Sequence, residues 1–455
     1  MNKNYTDDII TAISTAPITS AIGIVRISGN GALNTIKNNF TADIQKIQPR
    51  KAVYGHFNGN NDNIIDQVIL TFYQAPNSYT GEDVVEISCH GSPFIMNSIM
   101  RCVIENGGRT AQNGEFTKRA YLNGKIDLTQ VEAVIDMIES ESQFEIDNAN
   151  FHLSGRYSHE IEQIRKNLLD NISQILAYID FPDDEIADVS QQTLSSDIEK
   201  SLNSIETLYH SYKFGKFMKD GIKTAIIGKP NAGKSMLMNC LLGYDRSIVT
   251  SQAGTTRDVV RESVSFNGMK IVLSDTAGLR QTSDLIENLG IDKTIETLNN
   301  SDLILTVFDG SEELSQDDIN LMEIVEKINA KKVAIINKND LVLKLNAKKI
   351  KNYDNIVYIS AKDNIGIDNL EAVISGLFNE MKTLKNSPVI MNLRQYECIV
   401  KVREILKRAK ENIGFTPDII ITDMEDAVAI LGEITGKTVS DEIMENIFSR
   451  FCVGK

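Results

Sequence analysis

The spacing of hydrophobic and polar residues changes along this chain, and the changes divide it into segments. Up to about residue 119, runs with the two-residue period of β-strands occur at residues 21–29, 66–73 and the end of 78–91. Residues 31–40 and 92–105 instead have the period of amphipathic helices. The pattern predicts an α+β module over residues 1–119.

Helical periodicity follows a polar connection at residues 114–128, and it continues with breaks to about residue 219. It returns after about residue 386. Between these stretches, strands alternate with helices, which is typical of a doubly wound parallel sheet. We therefore predict an α/β domain at 219–382, inserted into one helical domain made of residues 120–218 and 383–455. Insertions of this kind are tolerated where the entry and exit points lie close together.

One loop of the α/β segment has the composition of a phosphate cradle. Residues 228–235, GKPNAGKS, follow a buried strand pattern and fit G-x-x-x-x-G-K-[ST]. The small residues let backbone N–H groups turn toward a phosphate chain, and a helix beginning near Lys234 adds its positive end. Lys234 would reach the β- and γ-phosphates, and Ser235 would bind Mg²⁺. Because glycine-rich turns also match by chance, the loop alone decides nothing.

Further signals follow in the order that a guanine-nucleotide domain requires. GTTRD at 254–258 offers a threonine hydroxyl to Mg²⁺, and a strand then ends in DTAG at 275–278. In DTAG, Asp275 faces the metal and Gly278 offers its N–H to the γ-phosphate. These positions predict a metal-assisted phosphate site.

The base-recognition signals lie further along the chain. A strand ends in NKND at 337–340, and ISAK at 359–362 closes the base pocket. The Asp340 carboxylate accepts two hydrogen bonds from guanine N1–H and N2–H₂, which adenine does not offer, so it selects GTP over ATP. The five motifs together predict a GTPase domain.

The predicted GTP-binding residues come from these motifs and the loop before GTTRD. They are Asn231, Ala232, Gly233, Lys234, Ser235, Met236, Thr250, Ser251, Gln252, Ala253, Gly254, Thr255, Thr256, Asp275, Thr276, Ala277, Gly278, Asn337, Lys338, Asp340, Ser360, Ala361 and Lys362.

Length, composition and charge limit the number of domains, the cellular compartment and the kinds of partner. The 455 residues are enough for about three domains. The five cysteines are scattered without a CxxC, which favours a reducing cytoplasm. There is no basic-then-apolar leader pattern and no apolar run long enough for a membrane span. The net charge of −15 argues against non-specific nucleic-acid binding. An acidic break, FPDDE at 181–185, is interpreted as a solvated loop rather than a metal site.

The means of hydrolysis is left open by the motifs. Where Ras-type GTPases use a glutamine to orient water, this chain has Leu279. Asn231 is a candidate oxygen ligand for a monovalent cation that would stabilise the developing charge. Glu287 is a candidate to orient water, although a plain surface glutamate is the better interpretation from the residues alone.

The whole chain resembles the MnmE (TrmE) family of tRNA-modification GTPases. The resemblance depends on GKPNAGKS, GTTRD, DTAGLR and NKND, and on IGIVRISG, YTGEDVVEISCHG, GEFTKRAYLNGKIDL, FPDDE and the terminal FCVGK. It implies a folate-binding N-terminal domain that also forms the homodimer, a discontinuous helical domain and an inserted G domain.

The resemblance also implies the chemistry. With the FAD-containing partner MnmG (GidA), the family adds an aminomethyl or carboxymethylaminomethyl group to the wobble uridine of tRNA. Methylene-tetrahydrofolate, or formyl-tetrahydrofolate, is the folate cofactor, and K⁺-dependent pairing of G domains drives GTP hydrolysis. The implied ligand sets are Ser235 and Thr256 for Mg²⁺; Asn231, Thr250, Gln252 and Thr255 for K⁺; Arg26, Glu86, Lys125 and Lys455 for folate. Glu287 and Cys452 match the catalytic positions.

Two other functions are weighed against this one. A regulatory or ribosome-assembly GTPase would be a switch without covalent chemistry, and it would not need the Arg26 and Glu86 pair or the tail from Cys452 to Lys455. A standalone folate methyltransferase would leave the G domain without a task. The role of Cys452, as nucleophile or positioning group, stays open.

Overall fold

The computed structural model describes residues 8–60, 63–180, 191–244, 262–266, 269–273, 295–378, 389–390, 392–413 and 417–455. The chain divides into two compact units, which are treated separately. Unit 1 comprises Met1–Ile138, Asn150–Ile198 and Ile405–Lys455, and unit 2 comprises Glu139–Ala149 and Glu199–Glu404.

A mixed sheet forms the first part of unit 1. Its strands are β1 Ile9–Ile13, β2 Ser20–Ser28, β3 Ala52–Asn58, β4 Ile64–Tyr73, β5 Val84–Gly91 and β6 Gly108–Thr110. Their order is β3-β4-β5-β2-β1-β6, and only the β1–β6 pair is parallel. Helix α1, Pro93–Glu105, buries Met96, Ile99 and Val103 in the core that the sheet shares. The α+β module predicted from the sequence is confirmed.

Two segments of this module differ from their predicted structure. Residues 114–128 contain a helix, α2, Glu115–Leu122, instead of a polar connection. Residues 31–40 contain only a 3-10 helix, Ala32–Ile36, which Gly31 enters with a φ of 76°. The helix does not continue because the backbone after it pairs with β3: the Asn39 carbonyl accepts from the N–H of Asn58 at 2.6 Å, and the N–H of Thr41 donates to the His56 carbonyl at 3.1 Å.

Helix α2 was not predicted because its buried face mixes charged residues with apolar ones. The Arg119 side chain is only 3% exposed, and its guanidinium pairs with Asp8 at 2.6 Å and with Glu82 and Glu115 at 3.1 Å. Arg109 adds a second cation to Glu115, at 2.5 Å. Burial of charge is tolerated only when each group is paired in this way.

The helical sequence before the predicted insertion forms helices, as expected. They are α3 Leu128–Glu139, α4 Gln143–Leu153, α5 Arg156–Asp180 and α6 Gln191–Asp220. Within unit 1, α5 also packs along the helix at Pro417–Thr435, and both bury a continuous apolar stripe. No helix within the described ranges is long and apolar enough to cross a membrane.

Unit 2 is built on a second sheet. Its elements are β7 Ile222–Ile227, α7 Lys234–Tyr244, β8 Glu262–Phe266, β9 Met269–Leu273, β10 Leu303–Asp309, α8 Gln316–Glu326, β11 Lys331–Asn337, β12 Asn355–Tyr358 and α9 Ile367–Leu377. Three further helices follow in the sequence: α10 Leu393–Glu411, α11 Pro417–Thr435 and α12 Asp441–Ser449.

The strand order in unit 2 is β12-β11-β10-β7-β9-β8. All neighbours are parallel except the β8–β9 pair at the edge. Strand β10 is hydrogen-bonded to both β7 and β11, so the carboxyl ends of these three strands are adjacent. The loops that follow β7 and β11 are the predicted phosphate and guanine loops, and the sheet thus brings them to one edge.

We predict that Arg119→Met destabilises unit 1 by about 3–5 kcal/mol, because it leaves Glu82 buried without its cation and Glu115 with Arg109 alone. The measurement is hydrogen exchange of amides in β1 and α2, which gives the free energy of opening. Arg109→Met is the matched control: its side chain is 41% exposed, and we expect a clearly smaller loss. Equal losses in the two variants would contradict the assigned role of Arg119.

Candidate functional sites

The phosphate loop of unit 2 follows β7 and is shaped by its neighbours in the sheet. Gly228 and Gly233 have φ values of 152° and 98°, and Asn231 between them has a φ of 63°. A Cβ on Gly228 would lie 2.3 Å from the carbonyl oxygen of Val307, and one on Gly233 would lie 2.1 Å from Nδ2 of Asn337. Only glycine fits at both positions, as the P-loop pattern requires.

Lys234 begins α7 and turns its amine back across the loop. Its Nζ donates to the carbonyl oxygens of Gly228 at 2.7 Å and Lys229 at 2.8 Å. Burial lowers the pKa of Lys234, so an anion beside this amine would favour its charged form. Ser235 and Asn231 are exposed at the same loop, and Met236 is also exposed. The loop and helix end have the backbone shape expected of an anion cradle, whose function stays a prediction.

Asn337 joins three of the predicted motifs. Its side chain is buried at the end of β11, where Nδ2 donates to the Ala232 carbonyl at 2.9 Å. Its Oδ1 accepts a hydrogen bond from the backbone N–H of Ala361 at 3.0 Å. The phosphate loop, the NKND loop and the ISAK loop are therefore held together by one amide group.

The neighbouring Lys338 is fixed by a residue that the sequence analysis missed. Lys338 has a φ of 64°, and its Nζ lies 2.5 Å from Oδ2 of Asp309. Burial raises the pKa of Asp309, but hydrogen bonds from Lys338 and Ser311 offset this and leave the pKa below its usual value. The signal was available, since Asp309 ends the apolar run of β10 just as Asn337 ends that of β11.

Asp340, the predicted guanine-selecting residue, is oriented from the ISAK loop. Ser360 is buried, and its Oγ donates to Oδ1 of Asp340 at 2.8 Å. The backbone N–H of Asn339 donates to the Ile359 carbonyl at 3.0 Å, which ties the two loops a second time. The carboxylate of Asp340 is exposed at this edge, as is Lys362, so the edge is open to a base.

The other predicted nucleotide and ion ligands lie outside the described residues. They are Thr250, Ser251, Gln252, Ala253, Gly254, Thr255, Thr256, Asp275, Thr276, Ala277 and Gly278, together with the proposed water-orienting residue Glu287. The acidic break at 181–185 also lies there. Their roles, and the assignment of Mg²⁺ and K⁺, stay predictions.

A second site lies in unit 1, where β2 and β5 are paired. Arg26 and Glu86 stand directly opposite each other in the register. Nε and Nη2 of Arg26 lie 2.9 Å and 2.8 Å from the same carboxylate oxygen, Oε1 of Glu86. The guanidinium also lies over the rings of Tyr79 and Phe116, at 6.0 Å and 5.7 Å from their centroids. Its position is therefore strongly constrained.

The C-terminal tail reaches this pair. Val453 forms an isolated antiparallel bridge with Asn113. The Gly454 carbonyl accepts hydrogen bonds from Nη1 of Arg26 at 3.2 Å and from Oγ of Ser14 at 3.1 Å. Gly454 has a φ of 105°, and a Cβ there would lie 2.4 Å from the Ile13 carbonyl oxygen. The tail is thereby docked on the sheet.

Arg26, Glu86 and Lys455 line one cavity of about 520 Å³. Its apolar wall comes from α3, which contributes Val134, Met137 and Ile138, and Tyr73 and Tyr79 add two rings. This volume lies within the range of small-molecule pockets, about 300–1,000 Å³. Apolar walls, rings and a few convergent charges fit an aromatic ligand with an anionic end.

Three titratable groups of this cavity have shifted pKa values. Burial and the nearby positive charge of Arg26 both lower the pKa of Lys455. Burial and the Glu86 carboxylate raise the pKa of Tyr73. Burial also raises the pKa of Tyr79, although its hydroxyl shares a 2.9 Å hydrogen bond with Thr117. An anionic ligand would relieve the repulsion between Lys455 and Arg26.

One predicted folate residue, Lys125, is placed differently. Lys125 donates to the Pro76 carbonyl at 3.0 Å and lines another cavity, of about 570 Å³, which also includes Glu162 and Lys437. Cys452 is exposed in the tail. Three of the four predicted folate residues are thus together and Lys125 is apart, and the folate assignment stays a prediction.

Comparison with known proteins covers the whole chain. Residues 9–125 match the family described as the GTP-binding protein TrmE N-terminus, and residues 128–452 match the MnmE helical domain. The chain belongs to the MnmE family. The tRNA modification GTPase MnmE of Clostridioides difficile (strain 630) is 38% identical over 99% of this chain and 100% of its own length. MnmE of Thermoanaerobacter sp. (strain X514) is 38% identical over 98% and 99%, and MnmE of Finegoldia magna is 37% identical over 99% and 100%.

Membership of the MnmE family confirms the predicted fold class. That class is an α/β P-loop GTPase domain inserted into an all-α helical domain and preceded by an α+β domain. The boundaries at residues 119, 218 and 382 stay predictions.

We predict that Gly233→Ala lowers the affinity for GDP by more than about tenfold, since the added methyl group meets Asn337 and the backbone must leave a φ that costs other residues about 1–3 kcal/mol. Binding of a fluorescent GDP analogue measures this. Gly243→Ala in α7 is the matched control, because a Cβ there has no neighbour within 4 Å. Its affinity should equal that of the unmodified protein, and a similar loss in both variants would refute the argument.

Proposed function

We propose that this protein hydrolyses GTP and couples the hydrolysis to the modification of tRNA. The observation that carries the proposal is the pair of hydrogen bonds made by the Asn337 side chain. They hold the phosphate, guanine and ISAK loops at one edge of the sheet. Every curated relative reported above is named a tRNA modification GTPase, and each aligns over nearly the whole of both chains. The G domain is assigned to residues 219–382, between the two parts of the helical domain.

The proposed covalent chemistry concerns the wobble uridine. Together with an FAD-containing partner, MnmG (GidA), the protein adds an aminomethyl or carboxymethylaminomethyl group to it. Methylene-tetrahydrofolate (or formyl-tetrahydrofolate), when bound, supplies the one-carbon unit. Folate has an anionic glutamyl tail and a pterin that resembles guanine, so the guanidinium of Arg26, the amine of Lys455 and the carboxylate of Glu86 are suitable contacts.

The proposed hydrolysis uses two cations beside the phosphates. Ser235 and Thr256 would hold Mg²⁺. Asn231, Thr250, Gln252 and Thr255 would hold K⁺, and a cation at that place stabilises the negative charge of the transition state. Asn231 supports this arrangement because it is exposed at the phosphate loop. Glu287 would orient the attacking water, a task that Leu279 cannot perform.

The remaining assignments complete the proposal. The protein acts as a homodimer whose G domains pair, and Cys452 serves the modification either as a nucleophile or as a positioning group. We place it in the cytoplasm, since none of its five cysteines, all of which lie in the described part of the chain, forms a disulfide. A GTPase switch without covalent chemistry would have no use for the docked tail and the cavity beside it.

The first test is steady-state GTP hydrolysis in K⁺ and in Na⁺. We expect strong stimulation by K⁺ that Asn231→Lys abolishes, because a fixed ammonium would displace the cation without pairing the domains. Glu287→Ala should abolish turnover while leaving GTP binding unchanged. Glu323→Ala, an exposed glutamate of α8, is the control and should hydrolyse GTP normally. Equal rates in the two salts would sink the cation-dependent mechanism.

The folate assignment has its own test. Glu86→Gln keeps the shape of the side chain but removes the charge that faces Arg26, so we expect binding of formyl-tetrahydrofolate to weaken by about tenfold or more. Isothermal titration measures it. Glu105→Gln, at the exposed end of α1, should bind folate like the unmodified protein. Unchanged affinity in Glu86→Gln would move the folate site away from this cavity.

A further inference from the structure

Unit 2 has a stack of aromatic rings that the nucleotide site does not use. The ring of Tyr396, on α10, lies 3.9 Å from that of Tyr212 at an interplanar angle of 14°. It lies 5.6 Å from the ring of Tyr209 at 24°. The guanidinium carbon of Arg403 lies 4.4 Å from the centroid of Tyr209. We call these four side chains the tyrosine ladder.

Helical spacing places the tyrosine ladder on the outer faces of two helices. Tyr209 and Tyr212 are three residues apart on α6, and Tyr396 and Arg403 are seven apart on α10, so each pair shares a face. All four are partly exposed. The core-facing positions of these helices are taken by other residues, Leu208, Ser211, Ile399 and Val402, which are at most 3% exposed. The ladder is therefore not part of the core.

The ring geometry differs from that of two aromatic pairs in the same unit that pack in its hydrophobic clusters. Phe144 and Phe214 meet edge to face at 78°, and Phe308 and Tyr353 do so at 80°. The tyrosines of the ladder are instead nearly parallel. A stack of parallel rings ends in a flat outer face. Nucleic-acid bases stack on such aromatic faces regardless of their sequence.

The charge around the tyrosine ladder favours an anionic partner. The part of α10 that lies in unit 2, Leu393–Glu404, has three lysines and arginines against two glutamates, whereas the whole chain has a net charge of −15. The guanidinium of Arg403 is fixed by Glu206 at 2.8 Å and Glu404 at 2.9 Å. A positive helix beside stacked rings is the combination with which proteins bind single-stranded nucleic acid.

We propose that the tyrosine ladder binds unpaired bases of the RNA substrate, with the basic side chains of α10 near its phosphates. This inference rests on the proposed function, in which tRNA is the substrate, and it names the surface that contacts it. A protein partner would match the rings but would not account for the excess positive charge of α10.

The first experiment measures the affinity of the full-length protein for an unmodified tRNA transcript by fluorescence anisotropy. For the double variant Tyr212→Leu, Tyr396→Leu we expect binding to weaken by about tenfold or more, since stacking is lost. The variant Tyr212→Phe, Tyr396→Phe keeps the rings and should bind nearly normally. Tyr54→Leu removes an exposed ring of unit 1 and should have no effect. GTP hydrolysis without tRNA should be unchanged in all three.

A second experiment does not depend on the leucine variant folding. The chain has no tryptophan, so Tyr212→Trp introduces a unique fluorophore into the ladder. Stacking of a base on the indole should quench its emission as tRNA is added, with a midpoint equal to the dissociation constant from anisotropy. The variant Tyr54→Trp should show no such quenching.

The outcomes separate this inference from the proposed function. If the unmodified protein binds no tRNA, both fail. If it binds tRNA but the leucine variant binds equally well and Tyr212→Trp is not quenched, only the tyrosine ladder is overturned. If the leucine variant loses the FAD-containing partner while keeping tRNA, the ladder is a protein contact and the inference is wrong.

Discussion

The side chain of Asn337 is the interaction on which the nucleotide site of this protein depends. It is buried at the end of β11, and it bonds Ala232 in the phosphate loop and Ala361 in the ISAK loop. These loops are far apart in sequence, at residues 228–235 and 359–362. The buried amide of Asn337 holds the two loops together. Separating them would leave its donor and acceptor without hydrogen-bond partners, at a cost of about 1–3 kcal/mol.

The parallel sheet makes this link possible. Strand β10 lies between β7 and β11, so their carboxyl ends meet at one edge and the chain can place a functional group after each strand. Asp309 and Asn337 occupy equivalent ends of neighbouring strands. Asp309 holds Lys338 and Asn337 holds two loops, and Asp340 is exposed at the same edge.

In unit 1, charged side chains are held in place beside a cavity with apolar walls. Arg26 is held by Glu86 from the opposite strand, by two rings and by the carbonyl of Gly454. Because the tail is docked by its backbone, the position of Lys455 depends on a glycine that tolerates a φ of 105°. The end of the chain thus contributes Lys455 to the lining of this cavity.

The sequence by itself determined the element types, the order of the domains and the nucleotide motifs, because periodicity and P-loop chemistry are local properties of the chain. It did not reveal α2, because the buried face of this short helix mixes the charged Glu115 and Arg119 with Phe116 and Ala120. Two partners of Arg119, Asp8 and Glu82, are far away in the sequence. Only the tertiary structure brought Arg26, Glu86 and Lys455 into one cavity and left Lys125 in another. It also stacked Tyr396 on Tyr212. Such contacts join residues that are far apart in sequence, and local patterns contain no information about that distance.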